Sequence, residues 1–342
     1  MLNRRNFTAW LGAVPAAAST ATLLAAAQRA QAQTPSPSSR PAIDKLLRIT
    51  VGFPPGGATD VIARLLADQL RGGYAPNAIV DNRAGAGGRI GAQIVKAGEA
   101  DGSLILLTPA SILTIYPHVY KKLGYDSLTD FAPVTSIASV GFALSVSSAV
   151  PASVKTVADF MAWAKANPQS ANFGSPAAGA TPHFVGVMLS QAAGVPLNHV
   201  PFKGDAPLVN DLLGGQIQAG VSALPAVLPH ARAGKLRILA VSGAKRSRYL
   251  PEVPTLIESG FKDVDAEEYF AVFAPAKIPP ATLARLYDAI HTALQAKPML
   301  DGLESFSFEV GGETPAQFTR IVEREFHRWG PIVKASGFSS DE

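Results

Sequence analysis

Two glycine-rich turns and one pair of acids have the residue types and spacing for chemistry. The first turn, Phe53-Pro54-Pro55-Gly56-Gly57-Ala58-Thr59-Asp60, follows the apolar run Ile49-Thr50-Val51. It precedes Val61, Ile62, Leu65, Leu66 and Leu70 at helical spacing. Glycine lets backbone come close to a ligand, and a helix start offers unpaired N–H groups with partial positive charge. That chemistry is anion binding, suited to a carboxylate or phosphate; the same residues also fit an ordinary βα turn. Thr59 or Asp60 is the expected N-cap, with Asp60, Arg64 and Asp68 along a polar helix face. The second turn, residues 175–181 (SPAAGAT), runs from Ser175 to Thr181-Pro182, a capping hydroxyl followed by proline at the first helical position. His183 lies in the first turn of that helix, placed equally well for ligand contact or for packing. Glu267-Glu268 are adjacent acids in a strand, so only one can face a cleft. The plainer reading is two solvated acids; the other is an acid that recognises an amino group.

Other chemistries find no support. Gly85-Ala86-Gly87-Gly88-Arg89-Ile90-Gly91 has Ile90 where a dinucleotide fingerprint needs its third glycine, and no Gly-Lys-Ser/Thr follows. There is no G-x-S-x-G elbow and no H-E-x-x-H. Cysteine is absent, which removes disulfides, thiolate metal sites and cysteine nucleophiles. His118 and His199 show no pattern, His230 and His291 have no visible partner, and His327 sits opposite its helix's apolar face. The expectation is therefore no catalysis, no cofactor and no metal. Formal net charge is +4. Removing Arg4, Arg5 and Arg29 with a leader leaves about +1, so charge gives no argument for nucleic acid.

The leader is residues 1–32. Arg4-Arg5 in Asn3-Arg4-Arg5-Asn6-Phe7 resembles a twin-arginine signal, Ala9–Ala27 is a mildly apolar run, and Ala30-Gln31-Ala32 reads as a cleavage site. Residues 33–42 form a Pro/Ser-rich linker. From Ile43 strands and helices alternate, which predicts an α/β fold with largely parallel sheets. Strands are expected at residues 48–51, 77–81 and 104–107, the last opening into Thr108-Pro109-Ala110-Ser111. Loops at the carboxyl ends of such strands are where ligands sit. Residues 143–146 read as a strand leaving the first unit, and 268–273 as the return crossover. Strands are also expected at 171–174, 198–202, 217–222 and 236–241. Thr314-Pro315-Ala316-Gln317 is a capping box that opens a last amphipathic helix.

Several segments in register resemble one family. Residues 48–60 (RITVGFPPGGATD), 82–92 (NRAGAGGRIGA), 120–135 (YKKLGYDSLTDFAPVT), 200–218 (VPFKGDAPLVNDLLGGQIQ), 228–247 (LPHARAGKLRILAVSGAKRS), 250–261 (LPEVPTLIESGF) and 332–337 (IVKASG) look like the Bug-type solute receptors of tripartite tricarboxylate transporters. The resemblance implies a type II periplasmic binding protein fold, two α/β lobes with mainly parallel sheets joined by two crossover strands. Lobe 1 would be 43–142 plus 268–342 and lobe 2 would be 143–267. It implies a periplasmic, monomeric receptor that closes on a small organic acid and delivers it to membrane permease subunits. A ligand sensor with a membrane signalling partner would need the same cleft. Carried over residue by residue, the implied binding set is Phe53, Gly57, Ala58, Thr59, Asp60, Ala110, Ser111, Ser175, Gly179, Ala180, Thr181, His183, Lys203 and Glu268. Several positions depart from the family: Gly52 where proline is common, Ala84 after Arg83, Pro176 and Pro182 in the second turn, Ser222 for an acid, and Glu267-Glu268 for small hydroxyl residues. Ligand identity is therefore not transferable from one relative.

Overall fold

The β-branched and leucine-rich runs form ten strands in a computed structural model that describes residues 41–340. The expected leader and most of the linker lie outside the described residues. In chain order the elements are β1 (Leu47–Val51), α1 (Ala58–Leu70), β2 (Ala78–Asn82), α2 (Arg89–Lys96), β3 (Leu104–Pro109), α3 (Ser111–Thr114), α4 (Tyr116–Val119) and β4 (Phe131–Val146). There follow α5 (Val157–Ala166), β5 (Asn172–Ser175), α6 (Thr181–Ala193), β6 (Asn198–Pro201), α7 (Asp205–Leu213), β7 (Ala219–Ala223), α8 (Leu224–Arg232) and β8 (Arg237–Val241). The chain ends with β9 (Glu267–Pro275), α9 (Pro280–Gln295), α10 (Lys297–Ser305), β10 (Glu309–Val310) and α11 (Pro315–Ser336).

Strand order is β2-β1-β3-β9-β4-β7-β5-β6, with β10 and β8 also on β4. β1 pairs in parallel with β2 and β3, and β5 pairs in parallel with β6 and β7. The antiparallel pairs all involve the two long strands, β4 and β9. β4 is 16 residues long. Residues 131–141 pair β9, and 142–146 pass between β7 and β8. The short strand expected at 143–146 is thus only the end of a long crossover. Pro133 masks the rest in the sequence, because proline cannot donate to a ladder and the register shifts just beyond it.

Each parallel group is covered on both faces, which is why its strands read as apolar runs. Ile49, Val51, Ile105 and Leu107 pack on Ile62, Leu66 and Leu70 of α1 and on Leu286 and Ile290 of α9. Leu106 faces the other way, toward Ala92 and Val95 of α2 and Phe318 and Val322 of α11. In the second half, Phe173, Val221 and Leu144 pack with Phe184 and Leu189 of α6. Trp329 and Val333, from the far end of α11, join that same cluster. The last helix therefore serves two cores. Its start is the expected capping box: the Thr314 hydroxyl accepts from Gln317 N–H, and the Gln317 side chain returns to Thr314 N–H.

Candidate functional site at the carboxyl ends of beta1, beta3 and beta5

The first loop is shaped from below by Asp60. Gly57, with extended backbone, is the N-cap of α1 and makes no side-chain capping bond. Neither Thr59 nor Asp60 caps the helix, contrary to expectation; both lie within its first turn and are buried. Asp60 is therefore not part of a solvated polar face. Its carboxylate accepts from Gly56 N–H at 2.9 Å, Asn82 Nδ2 at 2.9 Å and the Arg64 guanidinium at 2.8 and 3.0 Å. Burial pushes its pKa up, but the bonds from Arg64, Gly56 and Asn82 outweigh that and hold it below the usual carboxylate range. Asn82 also donates to the Phe53 carbonyl at 3.1 Å. With the turn pinned at Phe53, Gly56 and Asp60, residues 54–58 are exposed. The N–H groups of Ala58, Thr59 and Asp60 precede the first intrahelical bond, from Val61 to the Gly57 carbonyl, and of the three residues Ala58 is exposed.

The departure at Gly52 has a packing reason. A Cβ there would run into the backbone of Gly88, and one on Gly91 would sit 3.0 Å from Gly52 Cα. The first loop thus lies directly on the turn that starts α2. Phe53 and Ile112 close the same contact from the sides, so the loops after β1, β2 and β3 form one packed surface.

Ser111, Thr181 and Glu268 meet. Ala110 N–H donates to the Tyr269 carbonyl at 2.7 Å, extending the β3–β9 ladder by one residue and turning Ser111 toward Glu268. Glu268 Oε1 accepts from Ser111 N–H at 3.1 Å, and Oε2 accepts from the Thr181 hydroxyl at 2.8 Å. Thr181 is therefore not the N-cap of α6. Ala180 holds that position, freeing the Thr181 hydroxyl for Glu268. Glu268 is only 9% exposed, so the solvated reading of the acid pair fails. Burial raises its pKa against the opposing bonds from Ser111, Thr181 and Tyr269. Glu267 points away into a separate cavity of about 320 Å³ bounded by Lys245, Arg248 and Glu309. Burial, followed by the nearby Glu309 and Asp265 charges, raises its pKa as well. Tyr116 lies close enough to Glu268 to feel its charge; burial first, then Tyr120 and Glu268, keep its phenol protonated.

The second turn is held from behind by two stacked imidazoles. Gly179 N–H donates to His183 Nδ1 at 3.1 Å, and the Ser175 hydroxyl lies 2.8 Å from His199 Nε2. The rings of His183 and His199 stack with centroids 4.0 Å apart. Burial lowers both pKa values to about 4, with the neighbouring His199 adding to the effect on His183. On this geometry His183 is engaged by Gly179 N–H at Nδ1 and by the His199 ring. Ser175 also donates to the Ala177 carbonyl at 3.1 Å, so its hydroxyl is engaged within the turn. Ala180 is half-buried, and Lys203 is exposed with no side-chain partner among the described residues. Asp205, beside it, accepts only weakly from Ala223 N–H at 3.4 Å, and burial pushes its carboxyl up.

Sequence reasoning passed over three residues that shape the site. Asn82 opens the family-like segment 82–92 without a role implied for it, and Tyr116 carries no motif. His199 becomes visible only through the β5–β6 register, which sets it opposite Phe173 and two residues before the partner of Ser175.

The model for "Tripartite tricarboxylate transporter family receptor" matches residues 62–338. Protein BugT of Bordetella pertussis is 34% identical over 292 residues, covering 85% of this chain and 89% of BugT. A solved R. palustris protein with adipate is 34% identical with a TM-score of 0.75, covering 86% of this chain and 98% of that one. A TctC solute binding protein from Polaromonas is 27% identical with a TM-score of 0.73, covering 85% and 98%. The expected type II periplasmic binding protein fold, two α/β lobes joined by two crossover strands, is confirmed by these neighbours. The family is one of solute receptors, not of enzymes. On sequence, topology and whole-chain coverage together, the chain belongs to the tripartite tricarboxylate transporter receptor family.

Proposed function

We propose that this protein is an extracytoplasmic receptor that binds a small organic acid between its lobes and hands it to a membrane permease of the tripartite tricarboxylate class. The observation that carries this reading is the helix start at Gly57–Thr59, exposed at Gly57 and Ala58 and shaped by the buried Asp60 network. The likeness to a family member solved with adipate supports a carboxylate as the ligand class. Lobe 1 is residues 43–142 plus 268–342 and lobe 2 is residues 143–267. Phe53, Gly57, Ala58 and Thr59 meet the anionic end, while Ala110, Ser111, Gly179, Ala180, Thr181, Lys203 and Glu268 border the rest. Recognition rests mainly on backbone N–H groups, since no arginine is aimed at the Gly57–Thr59 surface among the described contacts.

The mechanism is hinge closure. Ligand contacts to both lobes favour the closed state, and only a difference in affinity between open and closed forms can shift that balance. The receptor works as a monomer in the periplasm, exported through the 1–32 leader by the twin-arginine route, without metal or cofactor. Among the described residues no helix is long and apolar enough to cross a membrane. Titration calorimetry and thermal unfolding of the mature protein against mono-, di- and aromatic carboxylates test the reading. At least one acid should bind and raise Tm; stabilisation by neutral or cationic compounds alone would overturn it.

A further inference from the structure

The first turn is joined to the neighbouring strand by one side chain. The β1–β2 ladder ends where Arg83 N–H donates to the Val51 carbonyl at 2.7 Å. Beyond that bond, every described hydrogen bond between the turn or α1 and the end of β2 passes through Asn82. Both donors of its amide are used there. Nδ2 lies 3.1 Å from the Phe53 carbonyl, where the turn begins, and 2.9 Å from Asp60 Oδ1, where the turn has become helix. Its Oδ1 lies 3.5 Å from the Arg64 guanidinium. A flipped amide would set that oxygen against a carbonyl and a carboxylate, so only one orientation fits. Between the two held ends Pro54 and Pro55 have fixed φ and Gly56 takes φ +88°, which leaves the turn little freedom of its own. Asp60 holds Gly56 without help from Asn82, through Oδ2 and the Gly56 N–H at 2.9 Å. The Phe53 carbonyl has no other donor among the described hydrogen bonds.

We propose that Asn82 is the positioning residue of the anion-binding turn: its amide fixes the entry and the exit of the turn together, so that the N–H groups at the start of α1 are already set when a carboxylate arrives. The proposal rests on the receptor reading above. Two effects follow from this clasp. A turn held before binding loses less conformational freedom when the ligand docks. A carbonyl occupied by Asn82 is also not free to swing toward an arriving carboxylate and repel it. Neither effect involves the rest of the ligand, so Asn82 strengthens binding of different carboxylates alike.

The test is titration calorimetry with butyrate, succinate, adipate and benzoate on wild type, Asn82→Ala, Ala58→Pro and the double variant. Asn82→Ala should weaken every acid that binds wild type by about tenfold, the scale of one polar group left without its partner. In the Ala58→Pro background the same change should cost less, because both substitutions act on the same N–H groups. A residue that merely supports the fold would give losses that add. Additive losses, or unchanged affinity in Asn82→Ala, overturn the proposal while leaving the receptor reading standing. A wild type that binds none of the four acids overturns both. Where Asn82→Ala fails to fold, backbone order parameters of the free wild type decide. Values of about 0.85 at Phe53 and residues 56–60 fit a turn set in advance, and values below about 0.6 overturn the proposal.

Discussion

Asp60 and Glu268 are both buried acids, yet they do opposite things. Asp60 is neutralised by Arg64 and spends its charge on fixing a loop, whereas Glu268 is surrounded by neutral donors. The loop that Asp60 fixes can be tested one N–H at a time. Ala58 is the first helical residue, and Gly57 before it has φ −79° and ψ 170°, a conformation that tolerates a following proline. Ala58→Pro should therefore leave unfolding of the free protein almost unchanged while removing one donor from the anion surface. Ligand affinity should fall by about 1–3 kcal/mol, measured by calorimetry. Unchanged affinity would move the binding surface away from this turn. The sequence showed the glycine turn because its signal is local. Burial of Glu268 was not legible: Thr181 is 87 residues away and Ser111 is 157, and strand alternation says only that the two acids face apart.

The elements carry a pH dependence of their own. Helix α6 brings His183 and strand β6 brings His199, and the stacked pair holds the turn between β5 and α6. Both imidazoles titrate near pH 4 in the folded protein, below the ordinary value of 6.5. The unfolded chain therefore binds more protons between these limits, and stability falls as pH drops from about 6.5 toward 4. Their contribution is complete above about pH 6.5. Thermal unfolding across pH 4–7 should show Tm declining over that window, and His199→Gln should flatten the slope. An equal slope in the variant would place the acid sensitivity elsewhere. Element boundaries were largely legible because periodicity and caps are local, as with Thr314 and Gln317. Thr181 misled for the same reason: as a hydroxyl before proline it reads as a cap, and only tertiary contact with Glu268 explains its displacement into the helix.

At the scale of the molecule, three connections join the halves: β4, β9 and the last helix. Strand β4 could not be read whole because Pro133 interrupts its pattern, although the pairing continues past it. The last helix places Phe318 and Val322 in the core beneath β3 and β9, and Trp329 and Val333 in the core beside β5 and β7. Ending the chain just before Trp329 should open the second core while leaving Phe318 and Val322 in the first. The expected result is loss of cooperative unfolding in calorimetry, since removing one large buried aromatic alone costs about 3–5 kcal/mol. A truncated chain that still unfolds in one sharp transition would show that the second half closes without it.

That helix also orders events in time. Strand β1 is among the first described residues to be synthesised, and the side chains that finish the cores around β3 and β5 are among the last. Contacts between such distant positions make folding slow, because a long loop must close before they return any stabilisation. A growing chain can gather local helices and parallel pairs early, but neither half can be sealed until the ribosome has released its final turns.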